Sequence, residues 1–338
     1  MARSLAVHLV VLAVLLATFA SACGDGGREA DPEPVPPPST AAEPQPPAGT
    51  QPPSTSVPAP PPAETVPPPP PPAETVPPET AAPAPLPPPS RPMSWQAAGA
   101  LVWHETDVEP ALLGAALRDN GFGWVAVFLH EGAVEDPVEA DWVRRFRVAS
   151  GLPVGGWGVL RDSPGAEAEL ADALVRRYGL DFYIANAEAD YEYSGPEGPD
   201  AGRYGRSRAF VAAFRARQPR LPAGLSSYCR ADRHDLEWAA WRDAGFVFLP
   251  QAYVNDFGAE AAPAACARGA GRFFPGHAVH PTIGMHPGQL TSLTGSAYAP
   301  LLDEAGTTGF SVYLAETRMT PEEWRALGAA IVSLGIAR

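Results

Sequence analysis

The sequence predicts an α/β chain, a single closed (β/α)8 TIM barrel preceded by a disordered proline-rich linker. Three observations predict it. Short apolar runs recur eight times, at 99–104, 124–130, 153–159, 181–187, 222–228, 246–252, 279–285 and 309–315. Stretches of helical period separate most of them, the alternation expected of a parallel sheet wrapped by helices. The segment 93–338, which contains all 8 Trp and all 9 Tyr, has the length of one barrel. An open doubly wound sheet would instead carry a glycine-rich phosphate loop after its first strand. That place holds His104-Glu105-Thr106-Asp107, and the glycines of Gly155-Gly156-Trp157-Gly158 lie inside a strand. The closed barrel is therefore preferred, and no cofactor is expected.

The elements before the barrel run in order. Arg3 supplies a positive start, the apolar run from Leu5 to Phe19 follows, and Ala20-Ser21-Ala22-Cys23 ends it with small residues and a thiol. The run is too short for a membrane span and reads as an export signal over 1–23. The tetrapeptide resembles a bacterial lipobox with Ala20 where Leu is usual. It is also an A-x-A site for ordinary signal peptidase. The lipoprotein reading is favoured, with Cys23 as the lipid attachment point, because a Cys directly after the small residues is otherwise unexpected and Gly24-Asp25-Gly26-Gly27 gives a flexible polar start. The expected location is extracytoplasmic, anchored to the bacterial cell membrane, with plain secretion as the alternative.

Residues 24–92 form the linker. Between Asp31 and Pro92 lie 28 of the chain's 43 prolines and no aromatic residue, and Ala63-Glu64-Thr65-Val66 recurs as Ala73-Glu74-Thr75-Val76. This composition buries too little apolar surface to offset its ordering entropy. As polyproline II at about 3.1 Å per residue, some sixty residues reach on the order of 150–190 Å, enough to hold a domain off a membrane. The charge balance narrows the partners. The chain has 24 Arg, no Lys and a net charge of −14, with no basic run, which argues against nucleic acid and leaves the N-terminal lipid as the only membrane contact. A monomer is expected.

Within the barrel, helical stretches are expected at 137–149, 167–178, 204–217 and 234–244. Asn120-Gly121 and Ala244-Gly245 close helices in C-cap style. Thr320-Pro321-Glu322-Glu323 opens the last helix as a capping box with Pro at its first position. The crossovers at 263–271 and 287–305 carry loop as well as helix signals. Cys229, just past the fifth strand, and Cys266, in the crossover after the sixth, are expected to pair in an oxidising compartment.

A barrel places its chemistry at the C-terminal ends of its strands. Those ends offer His104 and Glu105 on the first, His130 and Glu131 on the second, Trp157 and Arg161 on the third, and Asn186, Glu188, Asp190 and Glu192 on the fourth. The later strands add Tyr228, Gln251, Tyr253, His286, Tyr313 and Glu316. No Ser occupies a G-x-S-x-G elbow, and His280 and His286 lack a metal-binding i, i+4 helical context, so no metal is expected. Aromatic rings, amides and carboxylates together suit a sugar. Strand alternation puts Ile184, Asn186 and Glu188 on one face, so Asn186 and Glu188 project together into the mouth. A carboxyl beside an amide and aromatics there is suited to protonating a glycosidic oxygen. The candidate catalytic set is Glu188, Asn186 and Asp190. The candidate substrate-binding set is His104, Glu105, Trp157, Tyr228, Gln251, Tyr253 and Glu316.

On these residues the chain resembles the barrel glycoside hydrolases, and most nearly the family 25 lysozyme-like muramidases, in which Asp-x-Glu ends the fourth strand. The resemblance implies Glu188 as general acid. It departs at Asn186, where the family has Asp, and at the end of the first strand, where Trp103-His104-Glu105 replaces an Asp. Three readings stay open: a hydrolase of cell-wall or environmental polysaccharide, with its second carboxylate from Glu105, Glu131, Asp190 or Glu316; a sugar-binding barrel without turnover; or a structural or adhesive surface lipoprotein. The expected partner is a polysaccharide or peptidoglycan-like glycan.

Overall fold

A computed structural model describes residues 88–103, 109–139, 141–196, 198–276, 279–284, 295–313, 315 and 319–336. The chain divides into two units, 1–78 and 79–338, and all described residues belong to the second.

Eight parallel strands form the sheet: β1 Gly99–Val102, β2 Trp124–Glu131, β3 Val154–Val159, β4 Tyr183–Asn186, β5 Ala223–Tyr228, β6 Val247–Ala252, β7 Thr282–Gly284 and β8 Ser311–Tyr313. Each pairs with its sequence neighbours. β1 also pairs with β8, Gly99 opposite Ser311 and Leu101 opposite Tyr313, so the sheet closes. Each of the eight apolar runs coincides with one of these strands, β2 extending one residue past its run to Glu131.

The helices are α1 Pro110–Asp119, α2 Trp142–Ser150, α3 Pro164–Tyr178, α4 Arg206–Arg217, α5 Trp238–Asp243, α6 Pro263–Ala270, α7 Gly295–Glu304 and α8 Pro321–Ser333. Local chemistry sets their ends. Gly121, at φ +83°, takes the left-handed conformation that ends α1, and Gly245, at φ +74°, does the same for α5. The capping box is formed at α8: Thr320 Oγ1 accepts from the Glu323 N–H, and the Glu323 side chain accepts from the Thr320 N–H at 2.6 Å. Two helices start four or five residues later than the sequence suggests. The Trp142 N–H bonds to the Glu139 carbonyl in a turn that precedes α2. Before α5, Asp235 forms an antiparallel bridge with Ser194, and this tertiary pairing holds the chain extended where helical period predicts a helix. The crossovers with mixed signals do contain helices, α6 with Pro263 in its first turn and α7 with Pro300 inside it.

The core has two layers. Between sheet and helices lie the outward residues of the strands, such as Val125, Val127, Tyr183, Ala185, Leu225 and Phe248. Inside the barrel, the base is filled by aromatic rings. Trp95 enters below the strands with ring centroids 5.5 Å from Trp124, 5.6 Å from Phe182 and 5.9 Å from His280. Gly99 and Gly155 make room for them, since a Cβ at either would collide with the Trp124 or Phe182 ring. Above that plug Phe128, Trp157, Trp103 and Tyr313 form a second tier. Rings of this size each bury about 150–250 Å², so the interior is a packed plug with no channel through it.

Cys229 and Cys266 are joined in a disulfide, Cα atoms 4.4 Å apart, which ties the loop after β5 to α6. Closing a chain segment of 37 residues removes denatured-state entropy worth about 3–4 kcal/mol. Ser90 and Arg91 are already bonded to the barrel, through the Gly151 and Phe122 carbonyls. No helix among the described residues is long and apolar enough to cross a membrane.

Candidate functional site at the barrel mouth

The inward row of β4 changes character as it rises. Phe182 and Ile184 belong to the buried interior, whereas Asn186 and then Glu188, just beyond the strand, line a cleft of about 330 Å³ at the C-terminal end. The cleft is floored by Trp157, Leu101 and Tyr313 and walled by Trp103, Arg161, Asp190, Ser226, Gln251, Tyr253 and Phe257. A second cavity of about 460 Å³ adjoins it, lined by Tyr228, Arg230, Arg233, His234, Glu260 and others. Glu188, Gln251 and Phe257 line both cavities. The Glu188 carboxyl thus stands at the junction of two spaces, each within the size range of small-molecule sites. Phe257, 65% exposed, comes from the single helical turn Val254–Phe257 after β6 and presents an aromatic face at that junction.

Two amides orient the carboxyl. Asn186 Nδ2 donates to Glu188 Oε1 at 3.0 Å and Gln251 Nε2 donates to the same oxygen at 2.6 Å, while Gln251 also reaches Asn186 Oδ1 at 3.0 Å. Glu188 Oε2 has no partner among the described residues. When the group is protonated, the two N–H donors fix Oε1 as the acceptor oxygen and leave the proton to Oε2, the atom available to a ligand. Tyr253 and Tyr228 border the carboxyl from β6 and β5. Burial raises the Tyr253 hydroxyl well above its ordinary pKa, with the neighbouring Tyr313 and Glu188 adding to it. The Tyr228 hydroxyl is also pushed up, by burial first and then by the Glu192 and Glu188 carboxylates. Both phenols therefore stay neutral and able to donate.

The other acids are engaged differently. Asp190 lies in a 3₁₀ turn, Ala189–Tyr191, and accepts from Arg161 Nη1 at 3.1 Å. Arg161 also holds Glu131 through Nε at 3.0 Å and through a closer contact from Nη2. Glu192, beyond the turn, accepts from His234 Nδ1 at 2.7 Å, and the His234 ring stacks on Tyr228 with centroids 3.9 Å apart.

Of the residues singled out by sequence, Glu188, Asn186, Asp190, Trp157, Gln251 and Tyr253 line one cleft, and Tyr228 lines the cavity beside it. His104, Glu105, Glu316, His286 and Cys23 lie outside the described residues. Trp157 sits lower than a sugar platform would, only 2% exposed, with its Nε1–H donated to the Val102 carbonyl at 2.9 Å. His130 is no rim residue. The register shifts between Phe128 and His130, and the ring lies fully buried between Gly132 O and the Tyr183 hydroxyl, each at 2.8 Å. Burial lowers its pKa from 6.5 to about 4, so it is neutral, with Nδ1–H donating to the carbonyl and Nε2 accepting from the tyrosine.

Sequence reasoning missed Glu167. It is fully buried, and accepts the Tyr191 hydroxyl at 2.5 Å and the Arg161 backbone N–H at 2.7 Å, so it fastens the turn that follows Glu188 to the loop that follows β3. Its only local signal is an acid in the first turn of a helix, four residues after Ser163, which identifies a helix start and nothing more. Arg230, Arg233 and Phe257 were missed as well, because they sit in loops with no periodic pattern. No group of three or more potential metal ligands occurs among the described residues.

No protein-family model and no curated protein matches this sequence. Solved structures do match in fold. A GH18 chitinase from Pseudoalteromonas aurantia aligns with a TM-score of 0.51 at 11% identity, covering 69% of this chain and 99% of that one. The C-terminal domain of Legionella pneumophila ChiA aligns at 0.49, 12% identity and 72% and 100% coverage. An L-ribulose 3-epimerase aligns at 0.47, 15% identity and 71% and 94% coverage. At such identities the likeness establishes the shared (β/α)8 barrel and leaves the chemistry to be argued from the site itself.

Proposed function

We propose that this domain is a glycoside-hydrolase-like barrel that engages a glycan across its mouth, with Glu188 as the general acid. The observation that carries the reading is the placement of Glu188 at the junction of two cavities, one oxygen pinned by Asn186 and Gln251 and the other turned to neither. A glycan lying through both cavities would bring a glycosidic oxygen to that carboxyl. Proton transfer from Glu188 to this oxygen accompanies cleavage of its bond to the anomeric carbon. A water molecule then adds to that carbon, and its proton returns to Glu188. Asp190 and Glu131 are both occupied by Arg161, so a second carboxylate is not ready-made among the described residues. A sugar whose own 2-acetamido oxygen assists, as in substrate-assisted glycosidases, supplies that role without one. The chitinase with the same fold is consistent with this chemistry.

The test is release of reducing ends from polysaccharide by the wild type and by Glu188→Gln. The substitution keeps shape and removes the transferable proton, so turnover should fall by about 10²–10⁴-fold while glycan binding persists. Equal rates would remove Glu188 from the mechanism. A second reading, a glycan-binding barrel without turnover, is favoured by Asn186 standing where the lysozyme-like barrels carry Asp. Binding by both proteins with turnover by neither would select it.

The same proposal includes export and lipid attachment at Cys23, with the proline-rich segment as spacer to the membrane. Cys23→Ser should move the protein from the membrane fraction to the medium. A wild-type protein already soluble, beginning at Cys23 without lipid, would leave ordinary secretion in its place.

A further inference from the structure

A groove of about 510 Å³, lined by Tyr193, Tyr204, Trp238 and Phe273 with Asp235 and Glu237, lies beside α4 and α5. One pair of chain segments divides it from the second cavity of the mouth. Ser194 and Asp235 form an antiparallel bridge there, and the Tyr193 N–H donates to the Asp235 carbonyl at 2.7 Å. Glu192 and His234 bond to each other on the cavity side, where His234 and Pro196 are wall residues. Tyr193 and Asp235, the next residue along each segment, line the groove instead. Successive side chains of extended chain point to opposite faces, so cavity and groove are the two sides of one rim.

The groove holds an aromatic face ready. Tyr204 is 58% exposed, the Tyr193 ring meets it at a centroid distance of 5.0 Å, and the Arg208 guanidinium lies 4.4 Å from its centroid. Arg208 is fixed in turn by Glu237 at 2.8 Å, a carboxylate that also accepts from the Gly205 N–H at 2.9 Å. Glu237 is the one non-glycine residue with a left-handed backbone among the described residues, at φ +53°, a conformation that costs energy unless its surroundings require it. Most of the charge cancels, Arg208 against Glu237 and Asp243 against Arg242. Asp235 stands apart: its Oδ1 accepts from the Glu237 N–H at 2.8 Å, and Oδ2 has no partner among the described residues. A held tyrosine face beside a carboxylate oxygen suits a neutral sugar, whose C–H face covers the ring while a hydroxyl donates to the acid.

We infer that this groove continues the glycan path of the mouth. A chain leaving the second cavity crosses the Ser194–Asp235 rim and stacks a sugar ring on Tyr204, so the substrate is a polymer long enough to span both sides. The inference rests on the glycan reading of the Glu188 site and adds the length of the substrate and the direction in which it leaves the mouth.

Titration calorimetry of the full chain with chitotriose and chitohexaose tests this, with Glu188→Gln present so that neither probe is cleaved. The hexamer should bind at least about tenfold more tightly than the trimer, the gain expected of one further stacked ring. Adding Tyr204→Ala should erase that gain and leave trimer affinity unchanged, which also reports that the variant is folded. Tyr204→Phe should keep the gain, because the ring face and not the hydroxyl carries the contact. Equal affinities for the two probes, or a gain that survives Tyr204→Ala, overturns the inference while the glycan reading stands. Binding of neither probe, by this chain or by the wild type, overturns both.

Discussion

The base and the mouth of this barrel are made from the same strands, two or three residues apart, yet they obey different rules. On β4 the inward row passes from Phe182 and Ile184 to Asn186 and Glu188 within one short run. At the base, Trp95 packs edge to face on Trp124, Phe182 and His280, with no room for an added methyl group at Gly99 or Gly155. At the mouth, amides and carboxylates bond to one another around open volume. Stability is concentrated where side chains are large and dry, whereas the proposed chemistry falls where polar groups are held but not fully satisfied. The two ends should therefore respond separately to substitution.

The largest separation is expected between Glu188→Gln and Phe182→Ala. The first should cost turnover by the orders of magnitude given above and leave the unfolding midpoint in urea nearly unchanged, because the mouth contributes little burial. The second removes a fully buried ring from the plug and should cost about 3–5 kcal/mol of stability, with activity per folded molecule retained. Paired urea unfolding and rate measurements decide it. A Phe182→Ala protein that is folded but inactive would mean that the base positions the site, and the division argued here would be lost.

That division also explains what the sequence revealed. Strand positions were legible because each strand is an apolar run of fixed period, and so were the helix ends governed by Asn120-Gly121, Ala244-Gly245 and Thr320. The β4 row was legible for the same reason, since alternation alone puts Asn186 and Glu188 together. The amide clamp was not. Gln251 lies 63 residues from Glu188, and only the register of β4, β5 and β6 brings them to 2.6 Å. Glu167, Arg230, Arg233 and Phe257 depend on where loops return over the mouth, which no local pattern specifies. His130, at the end of β2, turns away from the mouth because the register shift beside it reverses the face that strand alternation gives it.

A smaller effect should come from pH. His130, in the layer between sheet and helices, and His280, in the basal plug, are both held by burial at a pKa of about 4, below the ordinary 6.5. In the folded chain both rings stay neutral between these values, whereas the unfolded chain takes up a proton on each. Their contribution is thus fully present above pH 6.5 and is lost as pH falls towards 4, each on the order of 3 kcal/mol at the lower end. Urea unfolding across that window should show stability rising with pH. In His280→Gln the slope should drop by about one proton, while the mouth's glycan affinity at pH 7 stays the same. An unchanged slope would mean that His280 is not buried neutral in the plug.

The smallest effect calibrates the others. Thr320 lies in neither region: its hydroxyl accepts from the Glu323 N–H at 3.2 Å and caps α8 on the outer surface. Thr320→Ala removes that acceptor, and with it the anchor for the reciprocal Glu323 contact, so it should cost about 1 kcal/mol. Trp324, Leu327 and Ile331 keep α8 docked on the barrel, and their burial is untouched by the change. The loss should therefore appear as a lower Tm with unchanged glycan affinity and unchanged rate. If this remote change also weakened the site, a general loosening of the barrel would account for the Phe182 and His280 results, and effects at base and mouth could no longer be assigned separately.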